Sequence, residues 1–294
     1  MSKKITIMVI VLIIWLGTSI ISIRYPFEKK RKTQEIQYTN LMDESSRNEV
    51  KQLLLANQLK EDTVNTFLEW VTDYNARVKT VRLLKEGYRT LDQGEQVDYS
   101  EVNLEARYLK SGVMQMDPNG RLASFLLFHN FVETSKRNEA SDHYLKFDLA
   151  GMKEDPLYQS IQPLINCFTV LMNPIKVSKE DTMQQHIDKI QNEWKRREIK
   201  FEKNTSVKLI SVFLHDPFEQ KRVVGHGGIL VEGKDQLYFL EKYNSGYPYQ
   251  LTIFPEEEHL VSYLLARKDI YNDEKELSPI IMKNDSVLKN KSDK

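Results

Sequence analysis

The sequence holds one cysteine, Cys167, so no internal disulfide can form and no thiol near the start can carry a lipid. Cys167 lies in the apolar stretch from Leu164 to Leu171, the setting of an inert packed thiol rather than a nucleophile. There is no His-x-x-x-His or Cys-x-x-Cys spacing, which removes the usual zinc signatures and leaves no metal or cofactor to expect. A basic excess is missing too. Without Lys3, Lys4 and Arg24 the remainder carries 39 basic and 42 acidic residues, a balance that excludes nucleic acid as an electrostatic partner. No internal repeat is visible.

Long apolar runs are also scarce, and the one that exists is therefore informative. Ile5 to Ile23 is nineteen residues without a charge, which at helical rise spans roughly 28 Å, the thickness of a hydrocarbon core. Lys3 and Lys4 ahead of it also fit a cleavable signal, but no small-x-small site precedes Arg24-Tyr25-Pro26. Residues 1–23 are expected to be an uncleaved single-pass anchor in the cell membrane. The count of basic residues would place the body inside, since Arg24, Lys29, Lys30, Arg31 and Lys32 outnumber Lys3 and Lys4. Long domains translocate largely regardless of such charges, and the short signal-like start favours a body on the extracellular side.

Beyond a basic linker at 24–37, one domain is expected over 38–285, followed by a polar tail at 286–294. Asp43 or Ser45 ahead of Val50, Leu53, Leu54 and Leu55 predicts one helix. Val64, Phe67, Leu68, Val71 and Tyr74 predict a second over 61–78, with Asp62 as its N-cap candidate. Residues 83–90 and 99–109 read as short helical or irregular pieces. The turn Asp117-Pro118-Asn119-Gly120 runs straight into an almost wholly apolar helix, which must be buried on most sides and so forms the centre of the fold. Met183, Ile187, Ile190 and Trp194 mark a peripheral amphipathic helix over 181–197. From Thr205 the period changes to two. Runs at 207–215, 223–232, 237–243 and 249–254 predict an antiparallel meander, closed by a helix over 257–266. The class is α+β.

The most specific chemical feature is His226, flanked by Gly225, Gly227 and Gly228 at the start of a strand, where a second backbone or a substrate could approach closely. Glu241, on the next strand, could sit beside the imidazole and fix its tautomer. A thiol hydrolase would place its nucleophile at the N-terminus of a buried helix, where the helix dipole lowers the thiol pKa. The turn at 117–120 enters such a helix. His129 reads as a satisfied core group, His215 as the end of a strand, and His143, His186 and His259 as lying in charged, solvated surroundings.

Tyr38-Thr39-Asn40-Leu41, the stretch from Trp70-Val71 to Tyr74-Asn75, Asn119-Gly120-Arg121-Leu122, Glu193 to Arg197, Val224 to Leu230 and Pro279 to Asp285 together resemble a bacterial family catalogued only as domain of unknown function number 4300. That family carries Asn-Cys-Arg before the central helix, a Gly-His-Thr-Gly strand and a Glu-Lys strand, a layout similar to the papain-like cell-wall peptidases of the NlpC type. The resemblance implies a papain-like core, with the central helix packed on the C-terminal sheet. It implies His226 as the imidazole, Glu241 as its orienting group, and Asn119 and Gln250 as polar groups of the pocket. Gly120 stands where the family has cysteine, and a glycine offers no nucleophile. Ser124, one helical turn further on, would be about 6 Å out of place as a substitute.

Three readings follow: a binding domain that has lost its nucleophile and holds a peptide, a peptidoglycan fragment or an envelope protein; an active hydrolase using another residue; and a purely structural membrane-tethered domain.

Overall fold

In the computed structural model the described residues are 35–79, 82–92, 94–108, 112, 114, 117–137, 143–270 and 277–288. The chain divides into two units, Met1–Arg31 and Lys32–Lys294, and the fold below is that of the second. The apolar segment Ile5 to Ile23 and the last six residues lie outside the described residues. Among the described residues no helix is long and apolar enough to cross a membrane.

A nine-stranded sheet organises the domain, its strands running in the order 286–287, 280–283, 207–216, 221–232, 237–242, 249–254, 36–39 and 89–91, with 175–176 paired to 221–232 off that path. Its centre is the expected meander: β6 (Val207–Asp216), β7 (Lys221–Glu232), β8 (Leu237–Lys242) and β9 (Tyr249–Phe254), each antiparallel to the next. β8 and β9 are buried almost throughout, so both faces of the sheet are covered there.

The flanking strands were not foreseen. β1 (Ile36–Thr39) begins inside the segment read as linker and inserts between β9 and β2 (Arg89–Leu91). β10 (Ile280–Lys283) pairs with β6, and β11 (Ser286–Val287) lies in the segment read as a polar tail. At two to four residues these strands are too short to show alternation. Their partners, distant in sequence, define them. β4 (Ile175–Lys176) and the ribbon of β3 (Val132–Thr134) with β5 (Ile199–Phe201) are equally short.

Helices α1 (Glu44–Ala56) and α2 (Glu61–Arg77) fall where the apolar spacing predicted them. Asp43 caps α1 by accepting from the Ser46 N–H. The cap position of α2 is Lys60, which gives no side-chain bond, and Asp62 lies inside the first turn. α3 (Gly120–Phe128) is the buried central helix: of its nine residues all but Arg121 are buried, and it lies against β7 and β8. α4 (Lys146–Glu154) and α5 (Ile165–Met172) follow. α6 (Met183–Arg196) starts at a capping box made by Thr182 and Gln185, and α7 (Glu257–Leu265) closes the domain.

Candidate functional site

Asn119 delivers the first turn of α3. Its side-chain oxygen accepts from the Leu122 N–H at 3.1 Å, and its amide donates to Asp148 at 2.5 Å. Arg121 pairs with the other Asp148 oxygen at 2.7 Å and donates to the carbonyl of Val224, tying α3 to α4 and β7. Burial pushes the Asp148 pKa up, against the pull of Arg121 and Asn119.

The opposite wall comes from β7. Val212 of β6 pairs with His226, but Phe213 pairs with Val224, so Gly225 falls out of register and makes a β-bulge immediately before the histidine. A bulge bends the strand and re-aims the next side chain. Gly228, two residues on, is the register partner of Glu241, which puts Glu241 on the same face of the sheet as His226. Their side chains meet: His226 Nε2 lies 2.6 Å from Glu241 Oε2.

Glu241 is 2 % exposed. It also accepts from Arg267 at 2.6 Å and from the Tyr263 hydroxyl at 2.9 Å. Burial pushes its pKa up, but Arg267 first, then His226 and Tyr263, more than reverse this and hold the carboxyl below its usual range. An ionised Glu241 accepts the Nε2–H of His226, which fixes the ring and leaves Nδ1 on its other edge.

That other edge faces Gly120. A Cβ on residue 120 would stand 2.9 Å from His226 Nδ1 and 2.9 Å from the Gly227 carbonyl oxygen. Both distances are shorter than a carbon contact tolerates, so the helix start and the imidazole have closed onto a residue that must lack a side chain. Gly120→Ala is accordingly expected to cost about 1–3 kcal/mol, the range for overpacking a close-packed site. A urea midpoint unchanged or raised in this variant would contradict the packing described.

A cleft of about 200 Å³ opens here, lined by Asn119, Gly120, Arg121, Gly225 and His226, with Leu214, Asn244, Ser245, Asp269 and Ile270 completing the wall. Of the residues singled out from the sequence, Asn119, Gly120, Gly225 and His226 thus come together. Gly227 faces elsewhere, with the Ser124 hydroxyl against it, and Ser124 itself donates to the Arg121 carbonyl.

Gln250 does not line the cleft. It is fully buried behind Glu241, its register partner, and its amide is used up by Tyr99, Tyr263 and Thr252. It belongs to a hydrogen-bond chain in which Asn40 donates to Tyr99 (2.5 Å), Tyr99 to Gln250 (2.5 Å), Gln250 to Tyr263 (2.8 Å) and Tyr263 to Glu241 (2.9 Å). Every bond points toward the carboxylate.

Arg267, Tyr263, Asp148 and Asp269 were not found from the sequence, because each lies on an element whose spatial neighbours are remote along the chain. The same holds for Lys242, which is wholly buried between the rings of Tyr74 (3.7 Å) and Tyr249 (4.4 Å) and pairs with Asp117 at 2.6 Å. Burial pulls its pKa down to about 8 despite Asp117. Asp117 also accepts from Arg77 and from the Gly246 N–H, so one carboxylate joins α2, β8 and the β8–β9 loop just before the turn into α3.

Cys167 is half-buried on α5, and burial pushes its thiol up to about 11, far from nucleophilic. His129 donates from Nδ1 to the Leu126 carbonyl (2.7 Å). His186 corrects its expectation of a solvated setting: it is fully buried on the inner face of α6 and accepts from Arg222 at 2.9 Å. Its ring lies 5.5 Å from that of His215. Burial, then Arg222, lowers the pKa of both.

A depressed imidazole pKa means the unfolded chain binds more protons below about pH 6.5. Stability contributed by the neutral pair is complete above that pH and is lost as pH falls through it. Urea midpoints taken from pH 7.5 to 5 should therefore fall, and fall less steeply in His215→Asn; an identical slope would remove the pair as the cause.

Among the described residues no group of three or more His, Cys, Asp or Glu is placed to hold a metal. A larger open groove of about 1000 Å³ runs between the β3–β5 ribbon and β10–β11, but neither histidine nor cysteine lines it. No curated protein matches the sequence, and no solved structure does. A family model described as "Domain of unknown function (DUF4300)" matches residues 37–288, and with most of its length covered the chain belongs to that family.

Proposed function

We propose that this protein is a non-catalytic binding domain on a papain-like frame of the NlpC type, with Gly120 at the position of the lost nucleophile. Residues 5–23 hold it in the cell membrane with the domain on the extracellular side, and its cleft takes a peptide, a peptidoglycan fragment or an envelope protein. The observation that carries the reading is the facing pair: a buried imidazole, oriented by a buried carboxylate, turned toward the first residue of a buried helix. That is the layout of a thiolate–imidazole pair with its thiolate removed. The Cys167 thiol and the Ser124 hydroxyl, the two obvious substitutes, are respectively unreactive and engaged elsewhere.

The lineage is tested by Gly120→Cys in a Cys167→Ala background. A folded variant should label with iodoacetamide at pH 7 much faster than Cys167 does in the unmodified protein, because a helix N-terminus and an imidazole both favour thiolate. A folded variant that labels no faster would remove the ancestry. Turnover of cell-wall peptides by the unmodified protein, abolished in His226→Ala, would replace binding by catalysis. A C-terminal reporter fusion reads the side of the membrane, and a cytoplasmic result would remove the cell-wall ligand.

A further inference from the structure

We infer that the bond between Arg222 and His186 is a proton-operated latch: charging the imidazole releases the N-terminal half of α6 from the sheet and slackens the β-bulge that aims His226. The inference is independent of what the cleft holds.

The polarity of one hydrogen bond carries it. Arg222 Nε donates to His186 Nδ1 at 2.9 Å. A guanidinium has donors only, so Nδ1 must keep its lone pair, and the imidazole must be neutral, for the bond to exist. A proton on Nδ1 would set donor against donor and cation against cation, between two side chains that are both wholly buried. Arg222 is also a hub. From β7 its guanidinium donates to the carbonyls of Phe213 on β6 (3.5 Å) and Ser278 (3.0 Å), and it lies 3.6 Å from the Met183 sulfur in the first turn of α6. Phe213 pairs with Val224 and so borders the bulge at Gly225. Displacing the guanidinium therefore loosens α6 and the strand just before His226 together.

The charged ring has a second place to go. His186 Nε2 lies 3.9 Å from the carboxylate of Asp181, just ahead of the helix. Lys189 and the Ser178 N–H hold that carboxyl below its usual range, so it stays ionised in mild acid. The groups that face the two imidazoles are Arg222 from β7, Asp181 with its partner Lys189 from the α6 side, and Asp216 from the end of β6. The one charged residue of β4, Lys176, is exposed. Neither nitrogen of His215 has a hydrogen-bond partner among the described residues, and its ring, 5.5 Å from that of His186, would add a further charge. Burial and Arg222 outweigh the two carboxylates, so the latch opens below the ordinary imidazole value of about 6.5. The C-terminal half of α6 is held differently. There the Trp194 ring packs on those of Phe201 and Phe213 at 5.4 and 5.5 Å, contacts that no proton disturbs, so release is confined to the first turns.

The test follows amide hydrogen exchange and the imidazole nitrogen signals of the full-length protein in detergent from pH 7.5 to 5, with rates corrected for the intrinsic effect of pH. Protection at Ile187 and Ile190 is expected to fall about tenfold relative to the amides of β9, equivalent to about 1.4 kcal/mol. The amide signals of Phe213 and Gly225 should move with the midpoint of the His186 ring. In His186→Asn the Oδ1 can accept in place of Nδ1 and never charges, so both effects should vanish. Unchanged protection in α6, an equal loss in β9, or the same loss in His186→Asn overturns the latch. Release of α6 with Phe213 and Gly225 unmoved overturns its link to the bulge. An Nδ1 that carries a proton at pH 7.5 in the unmodified protein overturns it without any variant, so the test stands even if His186→Asn does not fold.

Discussion

Glu241→Ala should lower the stability of the domain by about 3–5 kcal/mol, the range for removing one partner of a buried ion pair. Three donors lose their acceptor at once: the guanidinium of Arg267, the Tyr263 hydroxyl and the Nε2–H of His226. Arg267 keeps Asp269, at 2.6 and 2.8 Å, which limits the loss. Glu241→Gln keeps a carbonyl oxygen for one of these donors and should cost less than half as much. Arg267→Met, made alone and with Glu241→Ala, completes a cycle in which the double variant should be more stable than the sum of the singles predicts. Urea unfolding monitored by tryptophan fluorescence supplies all four numbers. Strict additivity would mean that the carboxylate and guanidinium do not act as a pair.

Removing Asp117 should come next in size. Asp117→Ala leaves the ammonium of Lys242 without its carboxylate, and the loss is expected to be about 3 kcal/mol at pH 7. Lys242 already has its pKa lowered to about 8, by burial first, and the variant should lower it further. A lysine whose folded pKa lies below its unfolded value binds fewer protons in the native state, so its contribution rises with pH up to the unfolded value near 10.4. The deficit of Asp117→Ala relative to the unmodified protein should therefore shrink between pH 7 and pH 10. A deficit that is constant over that window would assign the cost to Arg77 and the Gly246 N–H rather than to Lys242. Because Asp117 precedes the turn into α3, the variant should also broaden the NMR signals of Gly120 and His226.

What could be read from the chain, and what could not, divides along sequence distance. The helices at 44–56, 61–77, 120–128 and 183–196 and the four strands of the meander carry their period within a dozen residues, and their places were legible. So was the meeting of His226 with Glu241, because consecutive strands of a meander are neighbours. β1, β2, β10 and β11 were not, since a strand of two to four residues has no measurable period and exists only through its partner. Gln250 was given to the pocket through the resemblance. Its place behind Glu241 follows from the β8–β9 register, which the sequence does not specify. Arg267 follows a helix that was correctly placed, yet nothing local tells an arginine bound for a buried carboxylate from one bound for solvent.

The insertion of β1 between β9 and β2 bears on the order in which the molecule can be made. One of the earliest strands to leave the ribosome has one of the latest as its neighbour, and Asn40, just after β1, starts the hydrogen-bond chain that ends on Glu241. Until residues 249–254 have emerged, β1 has one of its two neighbours missing and its ladder groups on that side stay open. The loop to be closed is nearly the whole domain, and such long-range pairing is slow. The nascent chain therefore passes most of its synthesis with one edge of β1 open to chaperones and to other copies of itself.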